Sequence, residues 1–113
     1  MALKELSASE QELVLQCLKA IVESNEIEDW EFRTRLGITR ATVKEIISRW
    51  SEIDDRSEGS DEFMAINNSL NETCHGVHWT SQEWSRRFTE PRAKIVDVYM
   101  HWLRLGNFRG GLR

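Results

Sequence analysis

Cys74-His75-Gly76-Val77-His78 places three side chains that can bind a metal, or form a thiolate–imidazole pair, within five residues. A structural zinc site takes about four converging ligands. Only Cys17 and His101 remain to complete such a set, and they form no second cluster. A Cys74–His78 nucleophile would need a thiolate-stabilising setting and oxyanion donors, and the surrounding residues supply neither. No glycine-rich phosphate loop is present, and the carboxylates fall on exposed helix faces or in an acidic stretch. Cys74 also continues an apolar stripe through Phe63, Ile66 and Leu70. The expectation is a core thiol beside a turn, with no metal, no cofactor and no catalysis.

The second chemistry on offer is electrostatic. The 113 residues carry a net charge of −4, but the charge is segregated. Residues 5–31 are net −7; residues 32–51 are net +4, from Arg33, Arg35, Arg40, Lys44 and Arg49 against Glu45. Residues 52–62 are net −5, and residues 85–113 net +5. Basic stretches of this kind suit phosphate contacts, or pair with acids of the same chain.

The alternation has a period. Offset by 52 residues, Phe32-Arg-Thr-Arg-Leu36 falls on Trp84-Ser-Arg-Arg-Phe88, and Arg40-Ala41 on Arg92-Ala93. Val43, Ile46, Ile47 and Trp50 fall on Ile95, Val98, Tyr99 and Trp102; Val14, Leu18 and Val22 fall on Ile66, Leu70 and Cys74. Recurrence of apolar positions at a fixed offset is the mark of a duplicated unit.

Each half reads as three helices. Ser9 with Glu12 forms a capping box for a helix to about Glu23, with Leu13, Val14, Cys17, Leu18, Ile21 and Val22 on one face. A short helix spans Asp29 to Leu36 and stops at Gly37; Thr39 caps a third, to about Trp50. In the second half the helices run from Asp61 to Cys74, from Thr80 (boxed with Glu83) to Phe88, and onward from Pro91. Asn67 and Asn71 lie on one face and, if buried, must find partners in a neighbouring turn or helix. The expected fold is all-α: six helices as two tandem tri-helical repeats packed into one domain. The repeats cover residues 1–51 and 61–105, with a solvated acidic linker at 52–60 and a flexible basic tail at 106–113.

Residues Phe32 to Trp50 resemble a helix-turn-helix of the superfamily seen in sigma-factor DNA-binding regions and response-regulator output domains. Leu36, Gly37, Ile38, Thr39, Val43 and Ile46 carry the resemblance; Arg33 departs from it, standing where the family has a small residue. The second half has a small residue there, Ser85, but Thr89 in place of the glycine. The resemblance implies a recognition helix whose Arg40, Ala41, Thr42 and Glu45 face bases while Lys44 and Arg49 meet phosphate. The DNA-binding set it implies is Arg40, Thr42, Lys44 and Arg49, with Arg86, Arg87, Arg92 and Lys94 as the second-half counterpart.

Two functions follow as expectations. One is a small non-catalytic regulator or accessory protein that binds double-stranded DNA through one continuous basic surface. The other is a protein-interaction module, of adaptor or immunity/inhibitor type, that keeps the fold without the DNA. A homodimer fits either. Of the five tryptophans, Trp50, Trp84 and Trp102 continue apolar stripes, whereas Trp30 and Trp79 flank the short helices as candidate anchors for a partner. No apolar run approaches the ~18 residues of a membrane span, and no export signal opens the chain, so the expected location is cytoplasmic.

Overall fold

The computed structural model describes residues 2–108. Among them every regular element is helical: α1 Ala2–Glu5, α2 Ala8–Glu23, α3 Asp29–Leu36, α4 Arg40–Ser48, α5 Asp61–Asn71, α6 Ser81–Arg87 and α7 Arg92–Gly106. A 3₁₀ turn, Trp50–Glu52, follows α4, and a π-helical turn, Glu72–Gly76, follows α5.

The helix boundaries follow their caps. Ser7, rather than Ser9, opens α2: its hydroxyl accepts the Glu10 amide (3.1 Å) while the Glu10 carboxylate accepts the Ser7 amide (2.9 Å). Gly37 ends α3 at φ 77°, a conformation that costs a Cβ-bearing residue strain. Thr39 caps α4, Ser60 caps α5, and Thr80 with Glu83 boxes α6 as its sequence predicts.

Helix α2 packs on α5, and this pair is the centre of the molecule, with α4 and α7 each against both. The stripe Leu13, Val14, Cys17, Leu18, Ile21 and Val22 is buried, as are Phe63, Ile66, Leu70, Ile95, Val98, Tyr99 and Trp102. Almost the whole circumference of α5 is covered, so Asn67, Asn68 and Ser69 are buried too. Asn68 donates to the Leu36 carbonyl at 2.8 Å, Asn67 donates to Asn68 Oδ1 at 2.9 Å, and Tyr99 donates its hydroxyl proton to Asn67 Oδ1 at 2.8 Å. The buried amides are thus Asn67 and Asn68, not Asn67 and Asn71, and they hold the α3–α4 turn against the central helix. The unpaired cost of such groups is ~1–3 kcal/mol each, which fixes the depth and rotation of α5.

Three expectations change. The helices number seven among the described residues, not six, because Ala2, Leu3 and Leu6 bury themselves and α1 lies on α7. A four-residue helix has no intrinsic stability; packing alone makes it. The linker at 52–60 is not wholly solvated: Ile53 and Asp55 are buried, and Asp55 Oδ2 accepts from the Leu3 amide (2.9 Å) and from Trp102 Nε1 (2.7 Å). The first residues of the tail expected from 106 are packed instead. Gly106 is still in α7, and the Phe108 ring lies 4.8 Å from Phe63 and 4.7 Å from Trp102, centroid to centroid. Residues 109–113 of that tail lie outside the described residues.

Candidate functional site

Arg40 sits at the first position of α4 and turns inward. Its guanidinium donates to the Val22 carbonyl at the end of α2, to the Ile27 carbonyl at 2.6 Å and to Asp29 Oδ1 at 2.9 Å. It also lies over the Phe32 ring, 4.5 Å from the centroid. Its side chain is only 19% exposed. A planar fork with several fixed donors suits this work. The residue joins the end of α2, the loop after it and the start of α3 in one contact.

Fifty-two residues later Arg92, although exposed, repeats two of these contacts. It donates to the Cys74 carbonyl at 2.6 Å and lies 5.1 Å from the Trp84 ring centroid. Two further arginines reach acids of the opposite half, Arg49 while also pairing with Glu45 of its own helix. Arg87 pairs with Glu23 at 2.8 Å, and Arg49 bridges Glu45 (2.6 Å) and Glu62 (2.8 Å). Hydrogen bonds donated to Glu45 and Glu62 raise the Arg49 pKa, and Arg49 in turn lowers that of Glu62. Arg35, outside the expected set, pairs with the buried Glu72, whose hydrogen bond raises its pKa. Gly76 closes over that carboxylate, where a Cβ would collide with Glu72.

The rest of the expected set divides. Thr42 is half-buried and belongs to the cap, its amide donating to Thr39 Oγ1 at 3.1 Å. Lys44, Arg86 and Lys94 are exposed and form no ion pair among the described residues. Lys44 borders a shallow cleft with Arg33 and Thr39; Arg86 borders a polar groove with Glu12, Gln16 and Lys19. The expected DNA-binding set therefore resolves into four arginines engaged with their own chain, one capping threonine and three free cations.

Size adds a constraint. Tandem recognition helices that enter successive major grooves must be ~34 Å apart, centre to centre. The molecule measures 32 × 28 × 25 Å, so α4 and α7 cannot stand that far apart.

The Cys-His cluster separates in space by exposure. Cys74 is buried, which pushes its thiol up to about 11, while His75 and His78 are at the surface. The His78 amide donates to the Glu26 carboxylate at 3.1 Å. Cys17 is fully buried and its thiol is pushed higher still. Among the described residues no three His, Cys, Asp or Glu side chains gather in a metal-binding group, and no helix is long and apolar enough to cross a membrane.

The two candidate anchor tryptophans part company. Trp79 is buried, donating Nε1 to the Thr73 carbonyl at 3.3 Å with its ring edge-on to Phe88. Trp30 is 78% exposed. In comparisons with known proteins, no family model, curated protein or solved structure matches this chain.

Proposed function

We propose that the protein is a non-catalytic protein-interaction module built from two copies of one tri-helical unit. The observation that carries this reading is the matched pair Arg40 and Arg92. Each donates to a carbonyl at the close of its own half's first long segment, Val22 in the last turn of α2 or Cys74 in the π-helical turn that follows α5, and each covers the aromatic ring of the short helix, Phe32 or Trp84. All three positions are related by 52 residues. Arg40, which the helix-turn-helix resemblance would send to DNA bases, is thereby consumed in holding its unit together.

The duplication draws support from other bonds in the same register. Leu3 with Asp55 and Glu26 with His78 are bonded pairs 52 residues apart, as expected where a residue meets its own counterpart near a twofold axis. Gln16 bonds the Thr89 turn of the second half through both its amide atoms at 3.1 Å, and its counterpart Asn68 bonds Leu36 in the equivalent turn of the first. Such reciprocity is that of an isologous dimer joined into one chain.

A DNA-binding regulator is the second reading, and Lys44, Arg86 and Lys94, exposed and without an ion pair among the described residues, favour it. Fluorescence anisotropy with generic duplex DNA separates the two. The interaction module predicts no saturable binding even at low salt. Salt-sensitive binding that Lys44→Ala and Lys94→Ala weaken would reverse the order.

A further inference from the structure

We propose that the acidic shoulder around Trp30 is the docking site for a basic, arginine- or lysine-bearing segment of another protein, an inference that rests on the interaction-module reading above. Trp30 opens α3 with its indole in solvent, beside a shallow groove bordered by Val22, Ile27 and Arg40. Residues 23–31 contain Glu23, Glu26, Glu28, Asp29 and Glu31 and no base. Arg87 and Arg40 each cover one of these carboxylates, Glu23 and Asp29, yet those side chains remain 62% and 91% exposed. Arg35, paired with Glu72, also acts on Glu26 and Glu31, so six carboxylates against three guanidinium groups leave the shoulder negative, with Arg33 and Lys44 in the adjoining cleft that Asp29 shares.

The molecule carries its own control for what folding requires at this corner. In the 52-residue register, Gln82 stands at the position of Trp30, Ser81 at that of Asp29, Thr80 at that of Glu28 and His78 at that of Glu26. The second corner caps and packs its short helix with one carboxylate, Glu83, in the first turn. Ile27 and its counterpart Trp79 are both buried, so the inward-facing position is kept while the outward ones diverge. One carboxylate satisfies the positive end of a short helix. The exposed indole is surplus to the fold, and the acids, though Glu23, Glu26, Asp29 and Glu31 each hold a bond within the chain, exceed what the second corner uses to close the same turn.

Their chemistry selects the occupant. An indole face accepts a guanidinium or ammonium by cation–π attraction, and tryptophan is the side chain most enriched among residues that dominate interface energetics. Surrounding carboxylates steer a cationic partner and repel nucleic acid. Exposed ion pairs contribute little affinity by themselves, so the ring supplies most of the binding and the acids its selectivity.

The test is a heteronuclear NMR titration of the full chain with a short peptide alternating Arg and Gly, and with its Glu–Gly counterpart. The Trp30 indole signal and the amides of residues 26–31 should shift saturably with the Arg peptide and stay still with the Glu peptide. Trp30→Ala should weaken binding at least about tenfold with its circular dichroism unchanged, since the residue is 78% exposed. Shifts confined to another surface, or equal binding by Trp30→Ala, overturn this site while leaving the module reading intact. Shifts of α4 and α7 with duplex DNA, in place of any peptide response, overturn the module reading itself. Trp30 signals that move with protein concentration alone would make the occupant a second copy and overturn the basic partner.

Discussion

The Arg40 guanidinium and the Ile27 carbonyl oxygen lie 2.6 Å apart, across the gap between the start of α4 and the loop that follows α2. The same guanidinium closes on Val22 and Asp29 and on the face of Phe32. A side chain at the first position of a would-be recognition helix is thereby turned inward; its counterpart Arg92 stays exposed but makes the matching contacts with the Cys74 carbonyl and the Trp84 ring. Charge that looks in the sequence like a nucleic-acid face is, at these positions, internal reinforcement.

Buried amides should be as costly to remove as apolar core. Asn68→Ala leaves the Leu36 carbonyl without its side-chain donor at the α3–α4 turn, and should lower the unfolding free energy by ~1–3 kcal/mol. Tyr99→Phe, which removes only the hydroxyl bonded to Asn67, should cost about 1 kcal/mol. Urea denaturation followed by tryptophan fluorescence measures both. Wild-type stability in Asn68→Ala would mean that the network contributes nothing.

Gly76 answers to Glu72 rather than to backbone conformation. In Gly76→Ala the new methyl group displaces the Glu72 carboxylate and with it the Arg35 ion pair. The substitution should lower the melting temperature, and adding Arg35→Ala to it should cost less than Arg35→Ala alone, because the pair is already broken. Additive losses would contradict the coupling.

Acid should weaken the packing of α2 against α7. His101 Nδ1 lies 2.8 Å from Glu10 Oε2, and the hydrogen bond from His101, followed by that from the Ser7 amide, holds the Glu10 carboxyl below its ordinary 4.5. Because the folded-state value is the lower one, the stabilisation is present above the ordinary value and is lost as pH falls through the lowered one. Glu10→Gln should therefore show a shallower loss of stability than wild type between about pH 5 and pH 3. Parallel curves would assign the acid sensitivity elsewhere.

Both thiols should be silent in the native protein. Burial raises Cys17 and Cys74 alike, the latter to about 11, so little thiolate exists at mildly alkaline pH and the reagent has no access. An aromatic disulfide reagent should titrate no thiol in the folded chain and two in concentrated guanidinium chloride. Rapid native-state labelling of Cys74 would show that the His75–His78 turn opens.

Local patterns carried most of the secondary structure into the sequence. Gly37, Thr39, the Thr80–Glu83 box and the apolar stripes of α2, α5 and α7 state their roles within a few residues. The signals that failed are the long-range ones. Asp55 reads as one more acid in an acidic linker, because its donors, Leu3 and Trp102, lie 52 and 47 residues away. Ile53, the lone aliphatic residue of that linker, was the only local hint of burial. Phe108 is hidden in a glycine-rich context that reads as frayed, yet its ring completes a cluster with Phe63 and Trp102. At the candidate site the charges were legible and their destinations were not: an arginine bonded to carbonyls and one facing solvent look alike until the loop after α2 is placed. The 52-residue register came nearest to revealing it, since Arg40 and Arg92 coincide along with Phe32 and Trp84.

The unfolding free energy of Arg40→Ala tests most directly whether these arginines belong to the fold. Loss of three hydrogen bonds and the Phe32 contact should destabilise the protein by ~1–3 kcal/mol in urea, and Arg40→Lys, which lacks the planar fork, should recover only part of it. Arg40→Ala with wild-type stability would contradict the account, and would leave its guanidinium free for a ligand outside the chain.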